Sequence, residues 1–303
     1  MFKNLTIYRI APGWNPALDV VDAALEAGSF APCGATQEKS VGWVPPRGEA
    51  HDAFVESVGG QRLLKLMIQT KSVPGSLVRE KADEAATEIE DTTGRKPGKK
   101  QMKELREDAL LTLLPQAFPR TASVLVWIDQ ATGLLITDAV AQSKLDEVVT
   151  ALVRTFDDLA LRLVQTKVAP STAMTTWLTQ DANDWPDGIH VERECELKSV
   201  DEEKSVVKFN RHDLPTDDIR KHITEGKLPT RLALSYDGRV SFVLTEAMQL
   251  KKIKFLDVPE ADSDADAFDA DVALSTGELQ RLIPALIGAL GGEIKQADPL
   301  FGE

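Results

Sequence analysis

The segment from residue 76 to residue 114 constrains the fold most, because it has the pattern of helices but too little apolar surface for a core. Residues 77–90 and 99–114 each follow a helical period, and both are rich in charge and poor in large apolar side chains. The turn between them, residues 94–100, is dense in positive charge. We therefore predict a helical hairpin that projects from the body and carries a basic turn.

Strand and helix patterns alternate through the rest of the chain, which predicts an α+β fold with a mixed body. Asn15 and Pro16 have the residue types of an N-cap and a first helical position, and Gly28 is typical of a helix end. The motif from Gly42 to Pro46 predicts an aromatic-proline turn. The predicted strands are residues 5–10 and the hairpins 53–58 with 62–70, 122–128 with 134–138, and 231–236 with 240–245.

Two further helices are predicted in the second half of the chain. One covers residues 143–156, and the other begins at a capping-box pattern, Ser275 to Glu278, and ends at Gly291 and Gly292. The acidic stretch from Asp262 to Asp266 opens like a calcium loop, but Ala267 and Ala273 occupy the positions that require Gly and Glu. We interpret this stretch as an acidic linker.

The formal net charge is −13, which disfavours binding to a polyanion unless the cations are gathered on one surface. Charge is in fact segregated along the chain. Residues 204–254 contain eleven basic and six acidic residues, whereas residues 255–303 contain two basic and eleven acidic ones. The basic segment and the basic turn each have an alternative interpretation, as a solvated face and as a polar loop tip.

Motifs for catalysis, cofactors and metals do not emerge. The stretch from Gly94 to Lys100 lacks the spacing of a phosphate-binding Walker A loop, and the four histidines lack the spacing of metal ligands. Cys33 and Cys195 match no metal or redox pattern, so we expect thiols without chemistry. We predict no catalytic, cofactor-binding or metal-binding residues. No apolar run approaches the roughly 20 residues of a membrane span, and the N-terminus lacks a signal-peptide core.

A set of motifs in order along the chain resembles the RdgC family of recombination-associated proteins. In the first half these are Phe2-Lys3-Asn4-Leu5, Phe30-Ala31-Pro32-Cys33-Gly34, Gly42-Trp43-Val44-Pro45-Pro46, Leu113-Leu114-Pro115-Gln116-Ala117-Phe118-Pro119-Arg120 and Trp127-Ile128-Asp129. In the second half they are Glu225-Gly226-Lys227, Leu232-Ala233-Leu234, Phe268-Asp269-Ala270-Asp271, Thr276-Gly277-Glu278-Leu279 and Gly291-Gly292-Glu293. The resemblance spans essentially the whole chain.

That resemblance implies a ring-shaped homodimer that encircles double-stranded DNA with little sequence preference and restrains recombination by RecA. It also implies a central α+β domain (residues 1–75 and 119–165), a helical finger that helps to close the ring (76–118) and a base α+β domain (166–303). Phe118 would make one dimer contact, although from residue type alone we expect a buried core position. Arg211 and His212 would lie at the second contact, where other members commonly have Lys and Gln.

The combined expectation is a non-enzymatic DNA-binding protein of the cytoplasm, associated with the nucleoid. Two alternatives remain open: a metal-dependent nuclease that acts on recombination intermediates, and a regulator whose acidic part binds a basic partner. The predicted DNA contacts are Arg95, Lys96, Lys99, Lys100, Lys208, Arg211, Lys227, Lys251 and Lys252. The predicted dimer contacts are Phe118, Arg211 and His212.

Overall fold

A computed structural model describes residues 2–48, 51–201, 203–214, 216–256 and 265–295, without the side chains of residues 265 and 266. In this part of the chain the fold is α+β, with two antiparallel sheets, as predicted. The helices are α1 (Leu18–Ala27), α2 (Gly75–Thr93), α3 (Lys99–Leu113), α4 (Gln142–Thr155), α5 (Pro170–Thr179), α6 (Asp217–Thr224) and α7 (Ala265–Ala289), with short 3-10 turns at Leu114–Gln116 and Ala182–Asp184.

The first sheet is built from the first half of the chain. Its strand order is β2-β4-β5-β6-β1-β7, with β3 paired to β4. Alternation along the long strands sends Leu63 and Trp127 to one face and Leu64 and Val126 to the other, so both faces are apolar. The strands are β1 (Thr6–Ile10), β2 (Lys39–Val44), β3 (Glu56–Val58), β4 (Gln61–Lys71), β5 (Pro119–Asp129), β6 (Leu134–Thr137) and β7 (Leu161–Leu163).

The second sheet has its apolar face covered by helices and its other face charged. Its order is β12-β11-β10-β8-β9, and Leu197, Leu232 and Phe242 lie in a core shared with α5 and α7. Glu194 and Glu196 alternate with these buried positions and lie on the opposite face. The strands are β8 (Ile189–Ser199), β9 (Val206–Asn210), β10 (Lys227–Tyr236), β11 (Val240–Thr245) and β12 (Leu250–Phe255).

Helix α7 and the segment after it join the two sheets. The Gln280 amide donates to Asp129 Oδ2 at 3.0 Å, and the Arg9 guanidinium bonds Glu293 in an ion pair. Apolar residues of both sheets belong to the same buried cluster as α7. One continuous core therefore connects segments that the sequence analysis assigned to the central and base domains, and that division stays a prediction.

The helical hairpin formed by α2 and α3 inserts between β4 and β5. The buried residue on α2 is Ala82 and the one on α3 is Ala109, both small enough to let the helices approach closely. The sequence prediction of two charged helices with little core surface is confirmed. At the end of α2, Gly94 adopts a left-handed φ of 70° and its N–H donates to the Glu90 carbonyl at 2.7 Å.

Two predictions about local structure near the N-terminus are wrong. Helix α1 begins at Leu18 rather than Pro16, because Ala17 is extended and the Pro16 carbonyl accepts a bond from Arg62 at 2.9 Å. The residues around Gly42 belong to strand β2, and the turn follows it, closed by a bond from Gly48 N–H to the Pro45 carbonyl. Gly42 is required for close approach, since a Cβ there would lie 2.4 Å from Phe30 Cα.

The predicted start of the last helix is also wrong. Helix α7 is described from Ala265, so Ser275 and Thr276 lie inside it, where their hydroxyls donate to the carbonyls of Asp271 and Val272 at 2.6 and 2.7 Å. The helix ends where predicted, before Gly291 and Gly292, which both have positive φ. Of the predicted acidic linker, residues 262–264 lie outside the described residues, and the chain is helical from Ala265.

Candidate nucleic-acid interface

The hairpin turn gathers four cations, which we call the tip loop: Arg95, Lys96, Lys99 and Lys100. All four side chains are exposed. Lys96 lies 3.8 Å from Glu90, and the other three make no ion pair within the described part of the chain. Because an exposed cation without a carboxylate partner is available to an external anion, the tip loop is suited to contact phosphate groups.

Two of these cations lie where they weaken the helix that carries them. Lys99 and Lys100 are the first two residues of α3, and the N-cap, Gly98, offers no side-chain bond. Positive charge in the first turn opposes the helix dipole, which favours anions at that end. An anion bound at the tip loop would offset this unfavourable placement.

A second group of cations borders a cavity of about 530 Å³ on the charged face of the second sheet, which we call the base cleft. Two of the predicted residues, Arg211 and Lys252, line it together. The sequence analysis missed two further lining cations, Arg193 and Lys254. Lys254 carries a signal, since it lies two residues from Lys252 on one strand; Arg193 carries none, because it falls outside the basic segment.

Both predicted cations of the base cleft have unusual backbone conformations. Arg211 has a φ of 55° and Lys252 a φ of 54°, both in the left-handed region. Lys252 occupies an irregularity where the register of β11 against β12 shifts between Ser241 and Val243. Such strain is found at functional positions more often than elsewhere, which makes this cleft a candidate site.

The cations of the second sheet have internal partners, in contrast to those of the tip loop. Lys252 bonds Glu194, and Lys208 lies 3.1 Å from Glu196. Thr230 donates to Glu196 at 2.9 Å, and Arg231 lies 3.8 Å from it. Burial raises the pKa of Glu196, but the bonds from Lys208 and Thr230 and the charge of Arg231 outweigh it, so that the pKa lies below its usual value.

The remaining predicted DNA contacts do not converge on the base cleft. Lys227 is largely buried beside α6, 3.5 Å from Glu225 and 3.3 Å from the His222 ring. Lys251 is half-buried and does not line the cleft. The structure therefore divides the predicted set into the tip loop, the base cleft with Lys208 on the same sheet face, and two isolated lysines.

Phe118 is 90% exposed, so the expectation of a buried position is wrong. It borders a cavity of about 470 Å³ whose apolar lining includes Pro74, Leu77 and Leu113. An exposed aromatic ring beside an apolar cavity can fit a second copy of the same surface. His212 is also exposed, with its N–H bonded to the Arg193 carbonyl at 3.2 Å and its ring 5.5 Å from that of Phe209.

Metal binding and thiol chemistry find no support in the described residues. Among them, no group of three or more His, Cys, Asp or Glu side chains is arranged to hold a metal ion. Burial raises the pKa of the Cys195 thiol to about 12, so it stays protonated at neutral pH. In the part of the chain that the structure covers, no helix is long and apolar enough to cross a membrane.

Comparison with known proteins gives the family. A family model described as "Putative exonuclease, RdgC" matches residues 1–293. Proteins named recombination-associated protein RdgC are 41% identical in Dechloromonas aromatica, over 98% of this chain and 99% of the relative, and 40% identical in Herminiimonas arsenicoxydans, over 96% and 98%. The chain thus belongs to a family of recombination-associated proteins. That family is RdgC, as the sequence motifs predicted.

Proposed function

We propose that this protein binds double-stranded DNA without sequence preference, as a dimeric ring that encircles the duplex and restrains RecA-dependent recombination. The observation that carries the proposal is the tip loop, in which three of four exposed cations lack an ion-pair partner within the described residues. Lys and Arg side chains of this kind contact phosphates and do not read bases. The acidic remainder of the chain would lie away from the duplex.

The dimer is proposed to form through two separate contacts. At the first, Phe118 of each protomer enters the apolar cavity beside Leu77 and Leu113 of the other, in a two-fold symmetric arrangement. At the second, Arg211 and His212 at the end of β9 meet their symmetry mates. Two contacts at different ends of the chain's fold are what a closed ring requires, and the helical hairpin would be the finger that closes it.

Encirclement explains how a protein of net charge −13 retains DNA. Once the ring is closed, topology prevents dissociation, and the phosphate contacts need only position the duplex. Occupied duplex is then less accessible to RecA, and no ATP or metal ion is needed for this effect. We accordingly propose a non-catalytic role, associated with the nucleoid.

The test compares a short linear duplex with a covalently closed circle of equal composition. We expect both to bind at low salt, and we expect only the circle to remain bound when salt is raised after loading. Equal dissociation from both would remove the case for encirclement while leaving a DNA-binding protein. Absence of binding to either at low salt would remove the proposal itself.

A nuclease assay separates this role from the enzymatic alternative. Supercoiled plasmid is incubated with the protein in Mg²⁺ or Mn²⁺, and we expect it to remain supercoiled. Conversion to nicked or shortened DNA would favour the exonuclease description of the family model.

A further inference from the structure

A third cationic site lies where the helical hairpin joins the first sheet. We call it the root notch, a cavity of about 500 Å³ whose charged lining residues are Lys71, Arg79, Arg106 and Glu38. Lys71 ends β4, Arg79 lies on α2 and Arg106 on α3, so three separate elements supply the cations. The notch was not predicted, because these cations are far apart in sequence.

The two arginines of the root notch differ from other cations of the hairpin. Lys81 is paired with Glu84 on α2, and Lys103 with Glu107 on α3. Arg79 and Arg106 are exposed and make no hydrogen bond or ion pair in the part of the chain that the structure describes. Lys71 donates to the Gly34 carbonyl at 2.9 Å, which orients its ammonium group. Like charges in one notch repel each other, and a bound anion would relieve that repulsion.

The backbone adds positive potential to the same place. Helix α2 begins at Gly75, which lines the notch, and its N-cap, Pro74, provides no side-chain bond. The first N–H groups of a helix lack intrahelical acceptors and carry the positive end of the dipole. Gly75 has no Cβ, and a Cβ there would meet nothing within 4 Å, so the helix end is open.

We propose that the root notch binds a backbone phosphate of duplex DNA, as a contact additional to the tip loop; this inference rests on the proposed function. Guanidinium groups bind phosphate through paired hydrogen bonds. The uncharged lining includes Val73, Val78 and Leu110 and no aromatic ring on which a base could stack. The notch therefore recognises the phosphate and not the base.

The spacing along α3 suits a single DNA strand. Lys99 of the tip loop and Arg106 of the root notch are seven residues apart, which places them on nearly the same helix face about 10 Å apart along the axis. Phosphates of one strand follow each other every ~3.4 Å along the duplex axis. The two sites thus span about three phosphates of one strand.

The test measures duplex affinity against salt for Arg79→Gln/Arg106→Gln in the full chain. The logarithmic salt slope should fall by about 0.9 for each phosphate that is no longer neutralised, or about 1.8 for one protomer. The variant should therefore lose about tenfold less affinity than wild type when salt rises from about 50 to about 200 mM. The matched control, Lys81→Gln/Lys144→Gln, makes the same charge change at exposed sites outside the notch and should keep the wild-type slope.

Two further measurements exclude other occupants. Arg79→Lys/Arg106→Lys keeps the charge and should keep most of the slope, which separates electrostatics from misfolding. A wild-type slope in the Gln variant, with DNA binding intact, would overturn the root notch but leave the proposed function standing. The notch would also be overturned by loss of the dimer in sedimentation, or by stabilisation with inorganic phosphate that depends on both arginines while the DNA slope stays unchanged. Failure of wild type to bind DNA would remove both proposals.

Discussion

The tip loop and the base cleft are both rich in cations, but they differ in how those cations are compensated. At the tip loop one of four cations lies near a carboxylate, at 3.8 Å. On the second sheet Lys252 and Lys208 are each held by a glutamate of β8. A phosphate that binds at the tip loop meets available charge, whereas one at the base must compete with an existing ion pair. Charge counted from sequence treats the two regions alike, and their expected contributions to binding are unequal.

Neutralising the tip loop should have the largest effect. Replacing Arg95, Lys96, Lys99 and Lys100 by Gln should weaken duplex binding at least about 100-fold at low salt and reduce the salt slope by about 3 or more. Fluorescence anisotropy at several salt concentrations measures both. Gln at four exposed cations elsewhere, Lys39, Lys81, Lys144 and Arg154, is the control. If the control weakens binding equally, net charge and not the tip loop determines affinity.

The next largest effect concerns assembly. Phe118→Ala should weaken the dimer about 30-fold, because an aromatic anchor contributes about 2 kcal/mol or more to an interface. Sedimentation equilibrium measures this, and the free energy of unfolding of the monomer should not change, since the ring is 90% exposed. Leu114→Ala, at a neighbouring position that is fully buried, should instead cost about 2–5 kcal/mol of stability. An unaltered dimer with Ala at position 118 would contradict the first contact.

A smaller effect is expected at the second sheet. Lys208→Gln/Lys252→Gln should lower duplex affinity only about threefold and change the salt slope by less than about 1, because both lysines already neutralise glutamates. The same anisotropy titration applies, with the double variant of the tip loop Lys99→Gln/Lys100→Gln as a comparison of equal charge. Equal reductions in affinity for the two double variants would show that the internal ion pairs do not limit DNA contact.

The smallest effect is a pH dependence of stability. Since the pKa of Glu196 is lowered in the folded protein, its stabilising contribution is present above its unfolded pKa and is lost as pH falls through the folded pKa. Glu196→Gln should therefore remove about 1 kcal/mol or less at neutral pH and almost nothing in acid. Urea unfolding at both pH values measures this, with the exposed Glu203→Gln as control. An equal difference at both pH values would mean that the charge of Glu196 is not responsible.

The sequence predicted the elements that have strong local signals. The two helices of the hairpin, the β-hairpins with glycine turns and the end of α7 all follow from periodicity and glycine positions. It failed at Gly42 and at Ser275, where the residue types have two uses. Glycine serves a turn or a close approach between backbones, and a serine hydroxyl caps a helix or bonds a carbonyl within it. Only the tertiary contact decides between them.

The candidate sites were predictable to the extent that they are local in sequence. The tip loop was found because its four cations fall within six residues of chain. Arg193, Arg79 and Arg106 were missed because the fold, not the sequence, brings each of them to its cleft. The pairing of Lys208 and Lys252 with glutamates was likewise invisible, since β8, β9 and β12 are separated along the chain.

The bonds that join the end of the chain to its beginning also set the order in which the protein matures during synthesis. Arg9 leaves the ribosome early, yet its partner Glu293 and the apolar face of α7 emerge last. Until then Trp127 and its neighbours on the first sheet lack their covering, and such exposed apolar surface is prone to aggregation. Truncation before α7 should therefore yield a chain that needs chaperones rather than a smaller stable protein.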